Sequence, residues 1–201
     1  MRIVILANEE QKKVLGLAGD ELVFTDDQRE VSLHQDADAY IDLLFTADRD
    51  RIQVLKSLLP KPVLINSVEH TLAESDAQFI RINAWPTFLE GSLMESSAAD
   101  NRKEKAIAVF TALGKIPEWV PDITGMITPR IICSIINEAF FALQEKISTA
   151  EEINTAMKLG TNYPYGPFEW AEKIGKKNVA ALLQKLSREQ KRYTPCSLLL
   201  E

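Results

Sequence analysis

The stretch from Met157 to Gly175 constrains the fold more than any other, because it strings helix breakers around two aromatic residues. Gly160 is expected to stop a helix by adopting a left-handed conformation at the C-terminal cap, which glycine does without steric cost. Pro164 restricts the loop that follows. Gly166-Pro167 then makes a tight turn, with Pro167 suited to the first turn of a new helix. Gly175 ends that helix, and Phe168 and Trp170 plug the corner between the two.

The surrounding sequence is helical on both sides. Thr128-Pro129 predicts a helix start, with Thr128 as N-cap and Pro129 at the first helical position, and the helix runs to about Lys146. Its apolar residues, among them Ile131, Ile132, Ile135, Ile136 and Phe140, form a stripe wide enough to predict a largely buried helix or a subunit interface. Cys133 beside that stripe is expected to be a packed thiol. Glu138 suits either a buried carboxylate bonded to backbone or a solvated helix face. Thr149-Ala-Glu-Glu152 is a capping box and opens a helix that should end at Gly160. Asn178 to Gln190 carries Val179, Leu182, Leu183 and Leu186 at helical spacing, so the second half is predicted to be all helix.

The first half has a different rhythm. Apolar runs at Arg2–Ala7, Glu21–Thr25, Tyr40–Phe45, Pro62–Ile65 and Gln78–Ala84 alternate with helical segments at Asn8–Leu17 (ending near Gly19), Arg49–Leu59 and Asn101–Leu113. Strands separated by short helices predict a parallel sheet of βαβ type. In dinucleotide-binding sheets a glycine-rich turn after the first strand lets a pyrophosphate approach the helix N-terminus. Here that turn reads Ala7-Asn8-Glu9-Glu10-Gln11-Lys12. Its side chains obstruct close backbone approach and its two carboxylates repel phosphate. Asp26, where a ribose-binding acid would fall, is therefore expected to be a turn residue. The domain boundary is placed after Pro121, giving residues 1–121 and 122–201.

Charge and cysteine content exclude several classes. A net charge of -6 with no Lys/Arg cluster argues against nucleic acid. The opening apolar run is too short for a signal peptide or a membrane span, and Cys133 and Cys196 form no Cys-x-x-Cys pair, so a cytoplasmic protein is expected. Asp36, Asp38 and Asp42 lack the Gly and Glu that a calcium loop requires. Trp85, Trp119 and Trp170 are expected to pack rather than to stack on bases.

Several ordered pieces of the second half resemble the C-terminal domain of the 3-hydroxyacyl-CoA dehydrogenase family. They are Leu113-Gly-Lys-Ile-Pro, Asp122-Ile-Thr-Gly-Met-Ile-Thr-Pro-Arg-Ile, Ile136-Asn-Glu-Ala, Glu152 to Gly160, Gly166-Pro-Phe-Glu and Arg192-Tyr-Thr-Pro. The first half is similar to a shortened version of that family's nucleotide-binding domain, without room between Asp26 and Ala37 for its helical arm. The resemblance implies a short Rossmann-like α/β domain, followed by a helical domain that forms a homodimer contact. It also implies NAD as cofactor, an acyl-CoA ligand, a His base oriented by a Glu, and a Ser and an Asn holding the substrate oxygen. Carried onto this sequence, the Ser falls on Ser67 or Val68, the Glu on Glu95, the His on Ile82 or Asn83, and the Asn on Pro129, before Arg130. Neither Ile82 nor Asn83 can serve as a base at neutral pH. Ser67 and Glu95 are thus the candidate catalytic remnants, and no cofactor-binding or metal-binding residue is expected. The resulting expectation is a family member without dehydrogenase activity that keeps an acyl-CoA or small-acid pocket. The alternatives are an NAD-dependent oxidoreductase using His70 or Glu95 as an unusual base, and a structural dimeric partner protein.

Overall fold

The computed structural model describes residues 1–201 apart from Ala18 and Asp20. It divides into two compact units, Met1–Ile123 and Thr124–Glu201. The first is built on a seven-stranded sheet of β1 (Ile3–Leu6), β2 (Leu22–Thr25), β3 (Ala39–Asp42), β4 (Val63–Asn66), β5 (Ile80–Ile82), β6 (Leu93–Ser97) and β7 (Ile116–Trp119). The spatial order is β2-β1-β3-β4-β5-β6-β7. The first five strands are parallel, as their continuous apolar runs predict. β6 then pairs antiparallel with β5, and β7 runs parallel to β6.

The last two strands were not expected from the sequence, for identifiable reasons. β6 reads Leu-Met-Glu-Ser-Ser and buries only one large apolar side chain, Met94, while Leu93 points to solvent. β7 contains Pro117, which lacks a ladder donor and is tolerated because β7 is the edge strand. The helices of this unit are α1 (Glu9–Leu15), α2 (Gln28–Val31), α3 (Arg49–Lys56) and α4 (Asp100–Ala112). α1 stops earlier than expected, at Gly16 rather than near Gly19. Gly16 takes the left-handed cap (φ 60°), and its N–H donates to the Lys12 carbonyl. α2 is a single turn capped by Asp27, too short to leave a periodic signal.

Alternation along the strands divides the core in two. Ile3, Ile5, Ile41, Leu64, Ile80 and Ile82 face Ala106, Val109 and Phe110 of α4. Val4, Leu6, Tyr40, Val63, Ile65 and Phe79 face Val31, Leu55 and Leu58 on the opposite side.

The second unit contains α5 (Thr128–Gln144), α6 (Ala150–Thr161), α7 (Pro167–Ile174) and α8 (Lys176–Ser187). Three expected boundaries need correction. Ile127, not Thr128, is the residue before α5, so Thr128 and Pro129 both occupy the first turn, where no intrahelical N–H is needed. α6 runs through Gly160, and the left-handed cap is Asn162 (φ 57°), the non-glycine type that best tolerates that conformation. α8 starts directly after Gly175 and ends at Ser187, not at Gln190. The expectation that α5 is largely buried holds for Ile132, Ile136, Ala139 and Phe140, but Ile131 is 53% exposed. Cys133 is buried, as a packed thiol should be. Glu138 is exposed, and the buried polar residue of that helix is its neighbour Asn137.

The corner at 157–175 closes through α6 side chains. Asn154 Oδ1 accepts the Phe168 N–H at 3.0 Å, and Glu169 Oε2 accepts the Gly166 N–H at 2.8 Å. Lys158 Nζ meets Glu169 Oε1 at 2.5 Å. Phe168 lies 4.9 Å from Phe140, and Tyr163 lies 5.3 Å from Trp170, centroid to centroid. The Lys158 ammonium, then the Gly166 N–H, hold the Glu169 carboxyl below the ordinary glutamate value. A lowered folded-state pKa means that this stabilisation is present above the unfolded value and lost as pH falls through the folded one. Thermal melts between pH 3 and pH 6 are therefore expected to show a smaller acid-induced loss of Tm in Glu169→Gln than in wild type. Identical pH dependence in the two proteins would contradict the assignment.

Candidate functional site

Two places in the first unit correspond to the chemistry expected from the sequence. The first is the turn from β1 into α1. Asn8 Oδ1 accepts the Gln11 N–H at 2.8 Å, and Gln11 Oε1 accepts the Asn8 N–H at 3.0 Å, a complete reciprocal cap. Gln11 Nε2 also donates to the Leu43 carbonyl at the end of β3 (3.1 Å). Two backbone donors at the start of α1, the Asn8 and Gln11 N–H groups, are thus committed to the chain's own side chains. Glu9 and Glu10 in the first turn place negative charge where a dinucleotide pyrophosphate would approach. Asn8→Ala is expected to cost about 1 kcal/mol, read as a lower urea midpoint at unchanged slope. Asp26 lies exposed in the bend after β2, while Asp27 caps α2 and is held near a pKa of about 2 by Arg29.

The end of β3 is closed in a similar way. Asp42 is buried, and Arg51 grips it with Nη2 to Oδ1 at 2.5 Å and Nε to Oδ2 at 2.6 Å. Burial pushes the Asp42 carboxyl above the ordinary aspartate value and Arg51 opposes that shift. Asp36 pairs with Arg2, and Asp38 accepts the Arg2 N–H, so the three aspartates diverge. Among the described residues no group of three His, Cys, Asp or Glu is placed to hold a metal ion.

The second place is the sheet face on which Ser67, Arg81, Asn83 and Glu95 fall. The β5–β6 register pairs Arg81 with Ser97, and the Asn83 N–H continues that ladder to the Glu95 carbonyl at 2.9 Å. The Ser67 N–H donates to the Ile82 carbonyl at 3.2 Å, which extends the β4–β5 pairing. Alternation then sends Ile82 to the other face, where it packs in the α4 core, and leaves Asn83 on the face with Arg81 and Glu95. Of Ile82 and Asn83, Asn83 is the one on the same face as Glu95. Ser67 is buried, and its hydroxyl donates to the His70 carbonyl at 2.9 Å, so it is engaged by its own loop. Asn66 ties the strand ends together, donating to the Leu43 carbonyl and accepting the Ala84 N–H.

Arg81 is the residue that sequence reasoning missed. It is fully buried, and its guanidinium donates to the Ser67 carbonyl, to Val68 O (2.6 Å), to Asp122 Oδ1 (2.8 Å) and to Ile123 O (2.9 Å). Asp122 Oδ2 in turn accepts the Leu72 N–H at 2.9 Å. The loop after β4 and the segment after β7 are thereby held by one side chain. Burial pushes Arg81 below the ordinary arginine value, while Asp122, and more weakly Glu74 and Glu95, oppose that shift. The available signal was a charge between two isoleucines in a strand buried on both faces, Ile80-Arg81-Ile82.

In the second unit Pro129 occupies the first turn of α5, and Arg130 follows it, with Nη2 donating to Thr124 O at 2.7 Å. Asn137 explains why its motif and the Tyr-Thr-Pro motif near residue 194 occur together. Its amide donates to Thr194 O at 2.9 Å and accepts the Cys196 N–H at 2.8 Å, fastening the tail to α5. Trp85 and Trp170 are buried, and Trp119 sits edge-on to Phe110, so all three pack.

A doubly wound, mostly parallel sheet followed by an all-helical unit is the architecture of a class of two-unit dehydrogenases. The chain matches the model of the 3-hydroxyacyl-CoA dehydrogenase C-terminal domain over residues 125–201. It is 41% identical over 102 residues to 3-hydroxyadipyl-CoA dehydrogenase of Escherichia coli, a match spanning 50% of this chain and 22% of that protein. Mitochondrial hydroxyacyl-coenzyme A dehydrogenase of Sus scrofa is 27% identical over 181 residues, 79% of this chain and 57% of that one. The chain therefore covers less than two thirds of either relative. The fold is that of (S)-3-hydroxybutyryl-CoA dehydrogenase from Ralstonia eutropha, with a TM-score of 0.71 at 24% identity over 90% of this chain and 69% of that one. Among the described residues no helix is long and apolar enough to cross a membrane.

Proposed function

We propose that this chain is a family member that does not oxidise a hydroxyacyl-CoA and does not bind NAD, and that it keeps a pocket for an acyl-CoA or a small acid. The observation that carries the reading is Asn83 on the sheet face beside Glu95, where the resemblance calls for a base. An amide has no proton-accepting pKa near neutrality, and general-base chemistry needs one. The self-capped turn at Asn8 supports the same reading from the cofactor side, and Pro129 supports it from the side of the missing substrate-orienting Asn. Ser67 and Glu95 remain as remnants that position rather than catalyse. Both cysteines are buried, and the chain is read as cytoplasmic.

Incubation with 3-hydroxybutyryl-CoA and NAD+ is expected to produce no NADH absorbance, while butyryl-CoA binds in calorimetry. Turnover that disappears in His70→Ala would overturn the reading in favour of an oxidoreductase with an unusual base.

A homodimer through the helical unit is part of the proposal. α6 buries none of its residues, Leu159 is 83% exposed, and an apolar groove runs between α5, α6 and α7 past Ile135, Ala142, Ile153 and Met157. Such a face is unusual for a solvated helix. Light scattering is expected to give a dimer that Met157→Glu converts to a monomer. A wild-type monomer at micromolar concentration would remove the dimer from the account.

A further inference from the structure

We infer that the helical unit carries a binding site for a carboxylic acid with a short apolar body, formed by Arg130 and Arg192 around Tyr193. The inference names a ligand class for the small-acid pocket proposed above and rests on that reading. The site is a cavity of about 550 Å³ on the flank of α5, within the size range of small-molecule pockets. The Arg130 guanidinium carbon lies 5.7 Å from the centre of the Tyr193 ring, and that of Arg192 lies 4.7 Å from it. Two cations are thus gathered on one ring at the cavity wall.

Neither arginine has an ion-pair partner among the described residues. Arg130 spends Nη2 on the Thr124 carbonyl, but its buried Nε has no hydrogen-bond partner. Arg192 Nη2 donates to the Tyr193 hydroxyl at 2.7 Å, which leaves other donors of its fork unspent. Both arginines line one cavity, and its acidic lining residue, Glu138, is ion-paired with neither. An anion in the cavity would accept from the unspent guanidinium donors that line it.

The remaining walls select the kind of anion. Ile131, Phe141 and Leu183 line the cavity and suit a hydrocarbon body, which also gives Ile131 a reason to stand exposed at the start of α5. Glu138 lies on the rim, where its charge tolerates a monoanion better than a dianion such as phosphate. Ile135 and Glu138 line both this cavity and the groove proposed for the dimer, so the two occupy opposite flanks of one ridge on α5.

Calorimetry on the full chain with hexanoate, hexanamide and inorganic phosphate tests the site. Hexanoate is expected to bind, with hexanamide and phosphate each weaker by about tenfold or more, the scale of a lost charge-assisted hydrogen bond. Arg192→Gln, at an exposed position and with a circular dichroism spectrum expected to match wild type, should weaken hexanoate by about tenfold or more. Arg130→Lys, which keeps the charge, should weaken it less, and Glu138→Gln should strengthen it. No saturable hexanoate binding, equal binding of phosphate, or an affinity indifferent to Arg192→Gln would overturn the site. Butyryl-CoA binding without hexanoate binding would sink this site and leave the acyl-thioester reading standing. Absence of both would sink the two together.

Discussion

Replacing Arg81 by Leu is expected to remove about 3–5 kcal/mol of stability, the range for breaking a buried ion pair from one side. The side chain is fully buried and serves three backbone carbonyls and one carboxylate. Leucine fills part of the volume but leaves Ser67 O, Val68 O and Ile123 O without donors and Asp122 without its cation. Each is a desolvated acceptor that water held in the unfolded chain. Total stabilities of single domains are about 5–15 kcal/mol, so the loss should be plain in a urea titration, with the midpoint falling by a large fraction of its value. Arg81→Lys separates charge from geometry. It keeps the cation but not the planar fork, and should recover only part of the loss. A change below about 1 kcal/mol for Arg81→Leu would mean that these carbonyls find other partners at little cost.

Gly166→Ala is expected to be the most damaging small substitution in the second unit. A Cβ at this position would stand 2.5 Å from Asn154 Cβ and Cγ, and closer still to the amide oxygen. Cβ is fixed to its helix, so the clash cannot be relieved by rotating the Asn154 side chain, and α6 and α7 must move apart. Overpacking of this kind costs about 1–3 kcal/mol, and the same movement strains the Asn154–Phe168 and Lys158–Glu169 contacts. The test is a double-mutant cycle with Asn154→Ala. That change removes Cγ and the amide, so the pair should lose less than the sum of the single variants. Strict additivity would show that the corner is not closed by this contact.

Legibility in the sequence followed how much of each signal is local. The parallel strands and most helices were readable, because Ile3–Leu6 or Val63–Asn66 carry apolar runs and Thr149 to Glu152 carries its own cap. β6 and β7 were not, since what makes them strands is their pairing with β5 and with each other, across a register that no local pattern encodes. Gly160 looked like a helix stop and was passed over for Asn162, because the end of α6 is set by packing against the corner rather than by the first available glycine. At the candidate site, the absence of a glycine turn was visible residue by residue. The choice between Ile82 and Asn83 was not, because it depends on which face of the sheet each side chain takes. Arg81 stayed hidden for a related reason: its four partners lie 13 to 42 positions away in the chain.

As proposed above, the dehydrogenase fold is kept here without hydride chemistry. Titrating NADH into the protein by calorimetry tests it most directly, because the β1–α1 turn is capped by Asn8 and Gln11 and flanked by Glu9 and Glu10. The account predicts no saturable heat for NADH up to millimolar concentration in a preparation that still binds butyryl-CoA. Stoichiometric NADH binding at micromolar concentration would contradict it.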